Sequence, residues 1–62
     1  MNEQVLRDKH GILLGKIKEV SGQLELRNSH GILLGKYNPK TDQTRDRHGV
    51  LVGKGNLLTM LL

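Results

Sequence analysis

The segment R-[DN]-x-H-G-[IV]-L-[LV]-G-K is written three times in this chain, and no other feature limits its fold as strongly. Arg7-Asp8-Lys9-His10-Gly11-Ile12-Leu13-Leu14-Gly15-Lys16 is the first copy. Arg27-Asn28-Ser29-His30-Gly31-Ile32-Leu33-Leu34-Gly35-Lys36 follows 20 residues on, and Arg45-Asp46-Arg47-His48-Gly49-Val50-Leu51-Val52-Gly53-Lys54 follows 18 further. A period this short holds one supersecondary unit per repeat, and such units bury their apolar faces only against neighbours.

The chemistry of the segment names that unit. Asp8 stands at the first position of a type I turn, where its carboxylate accepts a backbone N–H two residues on. Gly11 stands fourth, where a left-handed residue forms the bulge that matches strand twist. Asn28 with Gly31 and Asp46 with Gly49 repeat the pattern. Runs such as Ile12-Leu13-Leu14 are branched, short and followed by Gly15, which favours strand over helix. The links between copies also read as turns: Val20-Ser21-Gly22-Gln23, and Asn38-Pro39-Lys40-Thr41 with proline second. The expected fold is therefore all-β: three tandem hairpins in a six-stranded antiparallel meander, with strands near 3–7, 12–20, 23–27, 32–37, 42–45 and 50–55. One domain covers residues 1–62, with repeats about 3–20, 23–38 and 41–56. The apolar segment 57–62 follows as a strand or a helical turn.

Pairing Leu6 opposite Leu14 across the first turn assigns two faces. One carries Leu6, Ile12, Leu14, Leu24, Leu26, Ile32, Leu34, Val50 and Val52 and is the expected core. The other carries Val5, Leu13, Ile17, Leu33, Tyr37 and Leu51 among charges. A lone sheet does not favour two apolar faces, so the sheet is expected to curl or to be completed by oligomerisation. Strand 42–45, polar on both faces, is expected at an edge. The 62 residues are 35% apolar with one aromatic and no cysteine. Small cores of this kind lean on disulfides, metals or self-association, and here the last is expected, as a homo-oligomer. Leu13, Leu33, Leu51, Leu57, Leu58, Met60, Leu61 and Leu62 are the candidate subunit contacts.

The D-x-x-G-x-L core at Asp8-Gly11-Leu13 and Asp46-Gly49-Leu51, with Asn28 in the middle copy, resembles the YD repeat of Rhs-type proteins. That family also repeats a strand-turn-strand unit near every 20 residues. Here arginine replaces the tyrosine that precedes the Asp, and three units cannot build that family's enclosing shell. The resemblance implies the hairpin and no encapsulating activity.

Catalytic and cofactor chemistry finds no support in the pattern. His10, His30 and His48 recur in step but occupy solvent-facing turn positions, with neither Cys nor an in-register carboxylate to complete a zinc site. No Ser or Cys nucleophile recurs in register with them. Gly11 to Lys16 is one residue short of a phosphate loop, and Ile17 stands where Ser or Thr would hold magnesium. No catalytic residue, metal or cofactor is assigned, and the chain is expected to be non-enzymatic. The net charge of +4 and pI near 9.9 make nucleic acid or an acidic protein candidate partners. Arg7, Lys16, Arg27, Lys36, Arg45 and Lys54 would form rows about 10 Å apart in a meander and are the candidate nucleic-acid contacts. The opening Met1-Asn2-Glu3-Gln4 lacks the regions of a leader. The tail 57–62 is too short for a membrane span, and a cytoplasmic location is expected. The leading expectation is a self-associating structural or protein-interaction module; the alternative is a nucleic-acid-binding accessory protein.

Overall fold

In a computed structural model of the chain, residues 3–62 are described. Six strands form one antiparallel sheet in chain order: β1 (Glu3–Arg7), β2 (Leu13–Val20), β3 (Gln23–Asn28), β4 (Leu33–Asn38), β5 (Gln43–Asp46) and β6 (Leu51–Lys54). The meander is the one the repeat predicts. The sheet remains open, with β1 and β6 at its edges. A 3₁₀ turn over Leu58–Leu61 ends the chain.

The three repeat turns are built alike. Gly11 N–H donates to Asp8 O at 3.0 Å, closing the type I turn, and Gly11 takes φ +81°. Asp8 Oδ1 accepts from His10 N–H at 2.8 Å and Ile12 N–H at 3.0 Å. Asn28 does the same for His30 and Ile32, and Asp46 for His48 and Val50. Arginine adds a second clamp: Arg7, Arg27 and Arg45 each donate from Nη1 to the carbonyl of Gly11, Gly31 and Gly49, at 2.9, 3.0 and 2.9 Å. The β2–β3 link is a two-residue turn with Ser21 and Gly22 both at positive φ, the combination that matches strand twist. The β4–β5 link is longer, running through Pro39 to Asp42.

The hairpin register corrects the assignment of faces. Arg7 pairs with Leu13, but Leu6 pairs with Gly15, so Leu14 is an extra residue in β2. The same irregularity falls at Leu26/Arg27 and at Thr44/Arg45. A bulge moves every later residue of its strand to the opposite face. The core face therefore carries Leu6, Gly15, Ile17, Leu24, Leu26, Gly35, Tyr37, Thr44 and Gly53. Ile17 and Tyr37, expected opposite, join it, while Ile12, Ile32 and Val50 are 62%, 52% and 60% exposed. Leu14 and Val52 are also exposed, and Leu34 remains packed at the core's margin.

The sheet is not closed into a barrel, and the tail covers the middle of this face. It crosses the row of repeat glycines. Leu57 lies over Gly53, Leu61 over Gly35 and Leu62 beside Gly15. A Cβ at Gly53 would stand 2.8 Å from Leu57 Cδ1, and one at Gly35 would collide with Leu61. Leu58 and Leu26 are fully buried and cluster with the buried Ile17, flanked by Leu6, Leu24, Leu34, Tyr37 and Leu61. Strand β5 is interior, contrary to its polar reading, because Thr44 is a buried fastener. Its hydroxyl donates to Gly55 O at 2.6 Å and accepts from Leu57 N–H at 3.0 Å, holding the bend into the tail. Among the described residues, no helix is long and apolar enough to cross a membrane.

Candidate functional site

Cross-strand partners share a face, so the same register that assembles the core defines the opposite surface. Val5 pairs with Lys16, Lys16 with Arg27, Arg27 with Leu33, Lys36 with Arg45, Arg45 with Leu51, and Gln43 with Lys54. Arg7 joins this face through Leu13. All six repeat-equivalent cations thus lie on one side of the sheet. Lys18 accompanies them, paired with Glu3 and Glu25. Seven of the ten Lys and Arg residues occupy this face, against the two carboxylates Glu3 and Glu25.

The pairing within the face is electrostatically uneven. Lys18 and Lys36 each stand opposite Glu25, the arrangement a sheet prefers. Lys16 opposite Arg27 and Lys36 opposite Arg45 are like-charge neighbours, which cost rather than stabilise. Arginine has a structural reason to recur, since each one clamps a turn carbonyl. The lysine facing it makes no such turn contact. Two exposed-side ion pairs reach Glu25, from Arg27 at 3.4 Å and Lys36 at 3.5 Å. Among the described residues, no ion pair reaches Lys16 or Lys54.

Two grooves cut this face at repeat-equivalent places. One, of about 310 Å³, is lined by Leu13, Lys16, Lys18, Glu25 and Arg27 with Glu3, Ser29 and Gly31 at its rim. The other, of about 450 Å³, is lined by Leu33, Lys36, Asn38, Gln43, Arg45 and Arg47. Leu13 and Leu33, candidate subunit contacts from sequence, are half-buried groove walls, and Leu51, opposite Arg45 on the same face, is exposed. Of the other candidates, Leu58 is enclosed by its own chain, Leu57 and Leu61 are half-buried toward the sheet, and Met60 and Leu62 are exposed.

The remaining polar groups are turn furniture. His10, His30 and His48 are exposed at three separate turns, and His48 Nε2 accepts from Arg47 Nε–H at 3.3 Å. No group of three or more metal-capable side chains forms among the described residues. Tyr37 lies on the core face and donates its hydroxyl to Asp42 at 2.8 Å, a bond that raises the phenol's pKa. It offers no stacking surface to the basic side. The repeat glycines read from sequence as bulges or close approaches, but the tail as the segment that approaches them, and the Thr44 fastener, were not identified. The available signals were the glycines in step with an apolar tail, and one threonine in a strand lacking other apolar content.

No protein-family model matches the chain, and neither a curated protein nor a solved structure is significantly similar to it.

Proposed function

We propose that this chain is a non-enzymatic binding module whose basic sheet face takes the backbone of an extended nucleic acid. The observation that carries the reading is the pair of like-charge couples, Lys16/Arg27 and Lys36/Arg45, kept side by side on an open face. Their mutual repulsion is relieved when an anion lies between or across them. The couples are two strands apart, about 10 Å, and each borders one of the two grooves. With the sole aromatic on the other face, recognition is of phosphates rather than bases. Mixed-sequence duplex DNA, titrated across a salt series, tests this. About four phosphate contacts correspond to a log–log salt slope near −3.6. Absence of binding at low salt removes the proposal.

A second reading, a self-associating structural or protein-interaction module, has its own support. Ile12, Ile32, Val50 and Met60 are 52–70% exposed. The accessible surface is 4420 Å², against about 4000 Å² for a compact chain of this mass. It ranks second because the apolar tail, expected as a subunit contact, lies on its own sheet with Leu58 fully buried. Sedimentation of the pure protein separates the two: a folded monomer that binds DNA supports the first, and an oligomer indifferent to DNA the second.

A further inference from the structure

We infer that the groove between β4 and β5 anchors a phosphate group of the polyanion more firmly than its repeat-equivalent between β2 and β3; this rests on the nucleic-acid reading above. The two grooves descend from the same repeat, so their differences isolate what each can hold. The residue two before the clamp arginine is Glu25 in the middle repeat and Gln43 in the third. Both accept from the arginine's Nη2 at 3.4 Å. Glu25 thereby neutralises Arg27, while Gln43 positions Arg45 and leaves its charge intact. The second turn position is Ser29 in the middle repeat and Arg47 in the third, and each lines its groove. These two exchanges remove a carboxylate and add a cation, and Gln23 in place of Glu3 removes another carboxylate; Asn38 in place of Lys18 and Asp46 in place of Asn28 act the other way.

The carboxylate that does border the third-repeat groove is otherwise engaged. Asp46 Oδ1 accepts both His48 N–H and Val50 N–H inside the turn. Lys36 is held on its far side by Glu25 at 3.5 Å, an open pair with the lysine side chain 47% exposed, of the kind that yields readily to a stronger anion. Arg45 spends one amine on Gly49 O and another weakly on Gln43. The guanidinium carries five N–H donors, so donors remain for a ligand. Lys36, Arg45 and Arg47 converge with the amides of Asn38 and Gln43 around a space of about 450 Å³. In the other groove Glu3 and Glu25 stand among Lys16, Lys18 and Arg27, and a phosphate entering there meets carboxylates.

The test compares matched substitutions in the full chain, with duplex DNA as probe. Gln43→Glu adds a carboxylate beside Arg45. Val5→Glu adds one opposite Lys16, at a position 45% exposed, with the same change in net charge. Arg47→Ser and Lys9→Ser form a second matched pair, confined to exposed turn positions. We expect Gln43→Glu and Arg47→Ser to weaken binding about tenfold, one charge-assisted contact, and their partners about threefold or less. Glu25→Gln should strengthen it. Wild-type protein that binds no DNA overturns the nucleic-acid reading and the anchor together. Wild-type binding with equal losses within each matched pair leaves that reading standing and overturns the anchor alone. Thermal melts of each variant verify that the sheet is intact, and the turn pair serves if Gln43→Glu disturbs β5.

Discussion

At the scale of single residues, one oxygen atom organises each repeat turn. Asp8, Asn28 and Asp46 present the same Oδ1 to the same two backbone N–H groups, which is why Asp and Asn interchange there. For Asp46 the N–H of Val50 lowers the carboxyl's pKa, aided by that of His48 and by the charges of His48 and Arg47, against a smaller opposing effect of burial. A folded-state pKa below the unfolded one contributes stability that is present above the unfolded value and is lost as pH falls through the folded value. The Asp46→Asn variant keeps the acceptor and loses the titration. Thermal melts from neutral pH to about pH 2 should show a smaller acid loss for it than for wild type. The repeat glycines give a graded series. A methyl at Gly15 or Gly35 meets the carbonyl of Arg27 or Arg45, backbone that cannot swing aside. At Gly53 it meets only the end of Leu57. Gly15→Ala and Gly35→Ala should cost about 1–3 kcal/mol in denaturant melts, and Gly53→Ala less.

At the scale of elements, the bulge and the tail depend on each other. One extra residue in β2, β4 and β6 brings glycine to the core face at the point where the tail crosses. Without the bulge, leucine or valine would occupy that row, and the tail would have no bed. Thr44 and Leu58 then secure the crossing. Replacing Thr44 with Val removes both its bonds and leaves Gly55 O and Leu57 N–H short of a partner, for an expected loss of about 1–3 kcal/mol. Leu58→Ala empties the one fully buried position of the tail, for about 2–5 kcal/mol. Chemical denaturation measures both, and a change under about 0.5 kcal/mol in either would contradict the tail's role as lid.

At the scale of the whole molecule, the sheet divides its labour by face: apolar and covered on one side, basic and open on the other. This division makes the charge distribution more informative than the net charge, since three of the six acids lie at chain reversals: Asp8 and Asp46 open repeat turns, and Asp42 ends the β4–β5 link. It also predicts how the two functional readings separate. Met60 is 70% exposed on the tail's outer side, so Met60→Lys should change monomer stability by less than about 0.5 kcal/mol. If exposed apolar surface drives assembly, the same variant lowers the sedimentation mass of the protein while leaving DNA affinity within about threefold.

The turns, the strand order and the antiparallel meander were readable from the sequence alone. Asp or Asn with Gly three residues on reverses the chain by local bonds that need no distant partner. The six candidate cations could also be placed in rows, because repetition carries them into step. The faces could not. Whether Leu14 or Gly15 stands opposite Leu6 turns on a one-residue bulge, whose benefit is paid by a segment more than 40 residues away. Leu57, Leu61 and Leu62 reward glycine in that row, and Thr44 rewards an interior place for a strand that looks like an edge. Local hydrogen bonds set where the chain turns; packing across the sheet decided which side of it is core and which is charge.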